Sequence, residues 1–149
     1  MNQRDARVTH ASVVLAAASG FWYGWLLYFG GREDDFGPVQ HGWVPALHTA
    51  HVVTVPLFVF ALGMLWNHHI VAKLRSRQEP RRRTGTLLLS QALPMIATGY
   101  LLQISVDEVW RATWTWAHGI SSCLFTLLFL LHLIARPTPD PASRTAGHG

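Results

Sequence analysis

The sequence predicts an all-α membrane protein, a four-transmembrane-helix bundle with both termini cytoplasmic. Three observations predict it. Half of the residues are apolar and only 13% are charged. Four apolar stretches are each long enough to span hydrocarbon, which takes about 20 residues. Lys and Arg gather in the segments flanking those stretches rather than inside them.

The first stretch runs from Thr9 to Phe29. It is too long for a signal-peptide core and ends in Trp and Tyr, so it reads as a retained first membrane helix. The second runs from Trp43 to Trp66, with helix continuing to Val71. The third runs from Thr86 to Ile104 and the fourth from Trp114 to Ile134. Pro56 and Pro94 fall inside the second and third, where a kink is expected. The four make one domain, residues 1–136. Residues 137–149 are rich in Pro, Ser, Thr and Gly and are expected to be a disordered cytoplasmic tail.

Orientation follows from the basic residues. Lys73, Arg75, Arg77 and Arg81 to Arg83 lie between the second and third stretches. Arg4, Arg7, Arg136 and Arg144 lie at the two ends. The other side has Arg32 and Arg111 with Glu33, Asp34, Asp35, Asp107 and Glu108. That asymmetry puts the termini in the cytoplasm and the first and third loops outside. It fits a multi-pass protein of a bacterial inner membrane. Membrane lipid is thus a partner, and the confinement of the basic residues to membrane flanks argues against nucleic acid. Trp22, Trp25, Trp43, Trp110, Trp114 and Trp116 cluster near the outer interface, as aromatic belts do. The single Cys, Cys123, excludes a disulfide within the chain, and the lack of C-x-x-C-H excludes covalent c-type haem attachment. No internal sequence repeat, phosphate-binding Gly loop or H-E-x-x-H is evident.

Chemistry is carried by histidine. The chain has nine, and an ionisable group inside a bilayer is costly enough to need a partner and a purpose. His118 and His132 are fourteen positions apart in the fourth stretch, a rise of about 21 Å and nearly four full turns. They share a helix face, one near each side of the bilayer. The second stretch runs in the same direction and places His48 and His51 level with His118. His69, eighteen positions beyond His51, is near the level of His132, as is His10 at the start of the first stretch. Two imidazole clusters at two depths are what two stacked haems would need, since imidazole is an axial ligand of haem iron. On this reading His51 and His118 hold an outer haem. His132 holds an inner one with either His10 or His69. His48 and Arg111 are placed to meet the propionates of the outer haem, and Gly63, Gly99 and Gly119 allow close approach of a flat macrocycle. Metal ions such as zinc fit less well, for want of the Cys or carboxylate ligands usual for them.

Several segments carry a family resemblance. They are R-V-T-H at Arg7 to His10, Ser19-Gly20, H-V-V from His51, A-T-G-Y at Ala97 to Tyr100, and H-G followed by twelve residues and a His from His118 to His132. In these the chain resembles the four-helix b-type cytochromes that serve as membrane subunits of formate dehydrogenase and [NiFe] hydrogenase. The resemblance implies two haem b and a quinone site near the cytoplasmic haem, with His10 as partner of His132. It implies transmembrane electron transfer between an extracytoplasmic iron–sulfur or cytochrome c subunit and the quinone pool, within a hetero-oligomeric complex. Two departures stand out. His10 is about one turn too close to Ser19-Gly20, and Arg83 to Thr86 occupy the place where the family has Asn and Gln around quinone. The alternatives from other classes are a non-redox membrane anchor for a partner enzyme and a haem- or metal-handling membrane protein.

Overall fold

The computed structural model describes residues 3–66, 71 and 82–134. Their elements, in chain order, are α1 (Gln3–Phe29), β1 (Arg32–Asp34), β2 (Gly37–Val39), α2 (Val44–Leu65), α3 (Arg82–Ile104) and α4 (Glu108–Ile134). All four helices are long and apolar enough to cross a membrane. The chain is a multi-pass membrane protein, and its spanning helices contact lipid. The segment from Asn67 to Ile70, with His68 and His69, lies outside the described residues, as does the tail from residue 135.

Three of the helices begin before their apolar runs. An apolar run measures only the hydrocarbon-embedded part, whereas the helix continues into the interfacial layer. α1 therefore takes in Arg4, Asp5 and Arg7. α4 starts six residues before Trp114 because Asp107 caps it. The Trp110 backbone N–H donates to Asp107 Oδ1 at 3.0 Å, satisfying one of the unpaired donors of the first turn. Glu108 adds negative charge at the positive end of the helix dipole. α2 starts with Pro45 in its first turn, where the missing N–H costs nothing. Pro56 and Pro94 lie inside α2 and α3, and both helices run on through them.

The first outer loop is not irregular. β1 and β2 pair antiparallel, Arg32 opposite Val39 and Asp34 opposite Gly37. The turn is closed by an N–H of Phe36 donating to Asp34 Oδ1 at 2.9 Å, and Gly37 takes φ 115°, a left-handed conformation that suits glycine. The acids of this loop sit on and beside a strand.

The chain divides into two compact units, Met1–Ala72 and Lys73–Gly149. In the first, α1 packs on α2. The pair is antiparallel, since Tyr23 meets His48 while Ser19 meets Thr54. In the second, α3 packs on α4. It too is antiparallel, with Thr84 against His132 and Thr98 against Ser121. Each hairpin buries a small apolar seam. Val13, Val44, Phe58, Ala61 and Leu65 are buried in the first, and Ala92, Phe125 and Phe129 in the second. Large apolar side chains such as Phe21, Phe60, Leu93 and Leu127 are exposed on the outer faces, as lipid-facing surface requires.

Candidate functional site

In each hairpin one imidazole of the second helix is seated on a hydroxyl–glycine pair of the first. In the first hairpin His51 of α2 meets Ser19-Gly20 of α1. His51 Nδ1 is 3.1 Å from the Ala16 carbonyl oxygen and 3.2 Å from Ser19 Oγ. The Ser19 hydroxyl donates to the Leu15 carbonyl at 2.7 Å, so its lone pairs face the imidazole. Thr54 Oγ1 lies 3.3 Å from Ser19 Oγ and donates to the His51 carbonyl at 2.9 Å.

In the second hairpin His118 of α4 meets Thr98-Gly99 of α3. His118 Nδ1 is 3.0 Å from the Met95 carbonyl oxygen and 3.4 Å from Thr98 Oγ1. The Thr98 hydroxyl donates to the Pro94 carbonyl at 2.7 Å. Ser121 Oγ lies 3.4 Å from Thr98 Oγ1 and donates to the His118 carbonyl at 3.0 Å. Ser121 is buried, and Gln91 donates from its amide nitrogen to the Ser121 carbonyl at 3.2 Å. Ser122 Oγ lies 3.4 Å from His118 Nε2.

The glycines let the rings sit this close. An alanine methyl at Gly20 would stand 2.8 Å from His51 Cε1, and one at Gly99 would stand 3.0 Å from His118 Cε1. Carbon atoms in contact sit about 3.5–4.0 Å apart, so a methyl at either position would press on the ring, and the imidazole would have to shift to admit it. His132 repeats part of the arrangement. Its Nδ1 is 2.9 Å from Thr84 Oγ1, and a methyl at Gly85 would stand a looser 3.6 Å from its Cε1.

The hydroxyls answer the apolar surroundings. With no water in hydrocarbon, a Ser or Thr side chain donates to a carbonyl three or four residues back on its own helix. Its oxygen is then left as an acceptor for a neighbour. A backbone carbonyl can only accept, so in a neutral imidazole the nitrogen facing it, Nδ1, is the one that bears hydrogen. The basic nitrogen is then Nε2.

The remaining candidates are spread along the chain. His48 is exposed on α2, one turn from His51, with its ring 5.2 Å from that of Tyr23. His10 is on an exposed position of α1. Arg111 donates from Nη2 to the Ser105 carbonyl at 3.2 Å, which anchors the start of α4. Thr84 and Gly85, in the stretch set against a quinone pocket, serve the His132 seat instead. Cys123 is exposed on α4.

Comparison with known proteins supplies the family. The model of the family described as bacteriorhodopsin-like protein matches residues 50–147. The chain belongs to the bacteriorhodopsin-like family. No curated protein and no solved structure matches it. The described residues supply four spans, whereas the family fold ordinarily has seven.

Membership in the bacteriorhodopsin-like family corrects the sequence reading in its chemistry. The chain is not a cytochrome b subunit, and the two haem b, the quinone and the dihaem electron-transfer function fall with that resemblance. The anchor and the haem- or metal-handling alternatives do not fit the family either. Nothing supports an iron–sulfur or cytochrome c subunit. The structure gives a physical reason for the misreading. Gly99 was expected to admit a macrocycle, and the close approach there is made by the ring of His118 itself. Gly63 and Gly119 have no heavy atom of another element within 4 Å among the described residues. The described residues also contain no group of three or more His, Cys, Asp or Glu that would hold a metal ion.

Proposed function

We propose that this bacteriorhodopsin-like chain translocates protons across a membrane, with His51, His118 and His132 as the groups that take them up and give them away. The observation that carries the reading is the seating of His51 and His118 inside the spans, each held at Nδ1 by a carbonyl and a hydroxyl. Asp, Glu, Lys and Arg are missing from residues 8–29, 44–65, 84–104 and 112–134. Histidine is therefore the side chain in these segments whose unperturbed charge change falls near neutral pH. Family membership points to ion pumping or sensing. The basic flanks support an orientation with both termini in the cytoplasm of a bacterial inner membrane.

The family also implies retinal, and with it light as the input. Retinal is an aldehyde, and an aldehyde is held covalently by a lysine amine as an imine. The chain has a single lysine, Lys73, which is outside the described residues. None of the four spans carries one, so the residues of the spans do not fit an imine-linked chromophore.

The test is proton flux into liposomes that hold the full chain and an entrapped pH dye, driven by a potassium diffusion potential, in the dark and in light. Dark flux that falls at least tenfold in both His51→Ala and His118→Ala is the expected result. Flux no greater than in empty liposomes under either condition would sink the reading.

A further inference from the structure

The two seats are built from the same parts in the same places. Each has a hydroxyl followed by glycine on the first helix, Ser19-Gly20 or Thr98-Gly99. Each has a carbonyl three residues before the hydroxyl, Ala16 or Met95, that faces imidazole Nδ1 at 3.1 or 3.0 Å. In each the hydroxyl donates one residue further back, to Leu15 or Pro94, at 2.7 Å in both. Each has a second hydroxyl three residues after the histidine, Thr54 or Ser121, that bonds the histidine's own carbonyl. The repeat is hidden in the sequence because the hydroxyl and histidine are separated by 32 residues in one hairpin and 20 in the other.

We infer that the chain carries one proton site in duplicate, His51 on Ser19-Gly20 and His118 on Thr98-Gly99, and that each site loads and unloads its proton through Nε2 alone. The inference deepens the proposed function and rests on it. An imidazole passes a proton through its ring when one nitrogen receives while the other releases. Here the Nδ1 hydrogen points at a main-chain carbonyl, which does not carry a proton onward. The neighbouring hydroxyl offers no way round, because it donates to a carbonyl in turn. A proton that binds at Nε2 gives an imidazolium whose Nδ1–H bond is unchanged, and the same proton must leave from Nε2. Each seat therefore takes up and gives away its proton at the same nitrogen. In the second copy Ser122 Oγ stands 3.4 Å from Nε2. Gly20 and Gly99 are positioning residues, because they let the ring sit deep enough for Nδ1 to reach the carbonyl.

The experiment is nitrogen NMR of the full chain labelled at histidine, in lipid, across a pH titration. His51→Asn and His118→Asn assign the two signals, and the Gln variants serve if an Asn variant does not fold. The expected result is a hydrogen on Nδ1 of both rings at high pH, with the titrating shift at Nε2. Gly99→Ala should abolish that tautomer preference at His118 and leave His51 unaltered. Hydrogen on Nε2 of either neutral ring overturns the inference, whatever the flux. Nδ1–H on both rings in a chain without flux bears out the duplicated seat and removes the transport reading instead.

Discussion

The Nδ1 of His118 lies 3.0 Å from the main-chain oxygen of Met95, on a helix where a methyl at Gly99 would stand 3.0 Å from the Cε1 of the same ring. His51 and Ala16 stand in the same relation at 3.1 Å. In both seats the nitrogen that faces a main-chain carbonyl is Nδ1.

Filling the glycine seats should be costly, while filling glycines elsewhere in the helices should not. Gly20→Ala and Gly99→Ala force the imidazole out of its seat and should each destabilise by about 1–3 kcal/mol, the usual range for overpacking. Gly24 and Gly119 have no heavy atom of another element within 4 Å among the described residues. Gly24→Ala and Gly119→Ala should be neutral or gain up to about 1 kcal/mol from helix propensity. Thermal unfolding in detergent separates the two pairs, and equal losses in all four would refute the seating.

Removing a seat hydroxyl should have a small effect on stability. In Thr98→Val the imidazole keeps its stronger partner, the Met95 carbonyl. The expected cost is about 0.6 kcal/mol, the average for hydrogen bonds between membrane helices. A loss well beyond ~2 kcal/mol in the same unfolding assay would mean that Thr98, not the carbonyl, holds the ring.

The start of α4 depends on Asp107. Asp107→Ala should cost about 1 kcal/mol through loss of the cap, with Asn restoring most of it. Amide hydrogen exchange at Val109 to Arg111 reports it directly. Unchanged protection there would show that the Arg111 contact to Ser105 fixes this end instead.

Gly37→Ala should open the β-hairpin without touching either imidazole. A side chain at φ 115° carries a strain of about 1–3 kcal/mol. Faster exchange confined to residues 32–39 is the expected pattern. Matching changes at His51 would show that the hairpin and the seat are coupled.

Incubation with all-trans retinal followed by borohydride reduction should leave no adduct on α1 to α4, as mass spectrometry of the peptides would read. An adduct that disappears in Lys73→Ala would place the chromophore on that lysine.

The spans were legible because hydrocarbon thickness writes itself into the length of apolar runs. Their true beginnings were less so, since Arg4, Asp5 and Asp107 are polar and yet belong to helix or cap. The β-hairpin was missed because three-residue strands bearing Glu33 and Asp34 carry no apolar alternation. Its one local signal was the Asp34-Asp35-Phe36-Gly37 turn. Within the sites, histidine content and depth singled out His51, His118 and His132. What spacing along one helix does not contain is the identity of the neighbour. The structure seats His51 on α1 and His118 on α3, in each case the helix just before its own. Ser19-Gly20 and Thr98-Gly99 lay within the segments that carried the cytochrome resemblance. Their part as seats became visible once the antiparallel pairing was known.

Among the described residues, the hydroxyl and carbonyl that seat His51 come from α1, and those that seat His118 come from α3. The contacts of the His51 seat named here can therefore form while the second half is still being synthesised. For a protein inserted into its membrane from the ribosome outwards, that order spares the polar groups of the first half a period of exposure to lipid. It also means that either half, expressed separately, should arrive with its imidazole already in place.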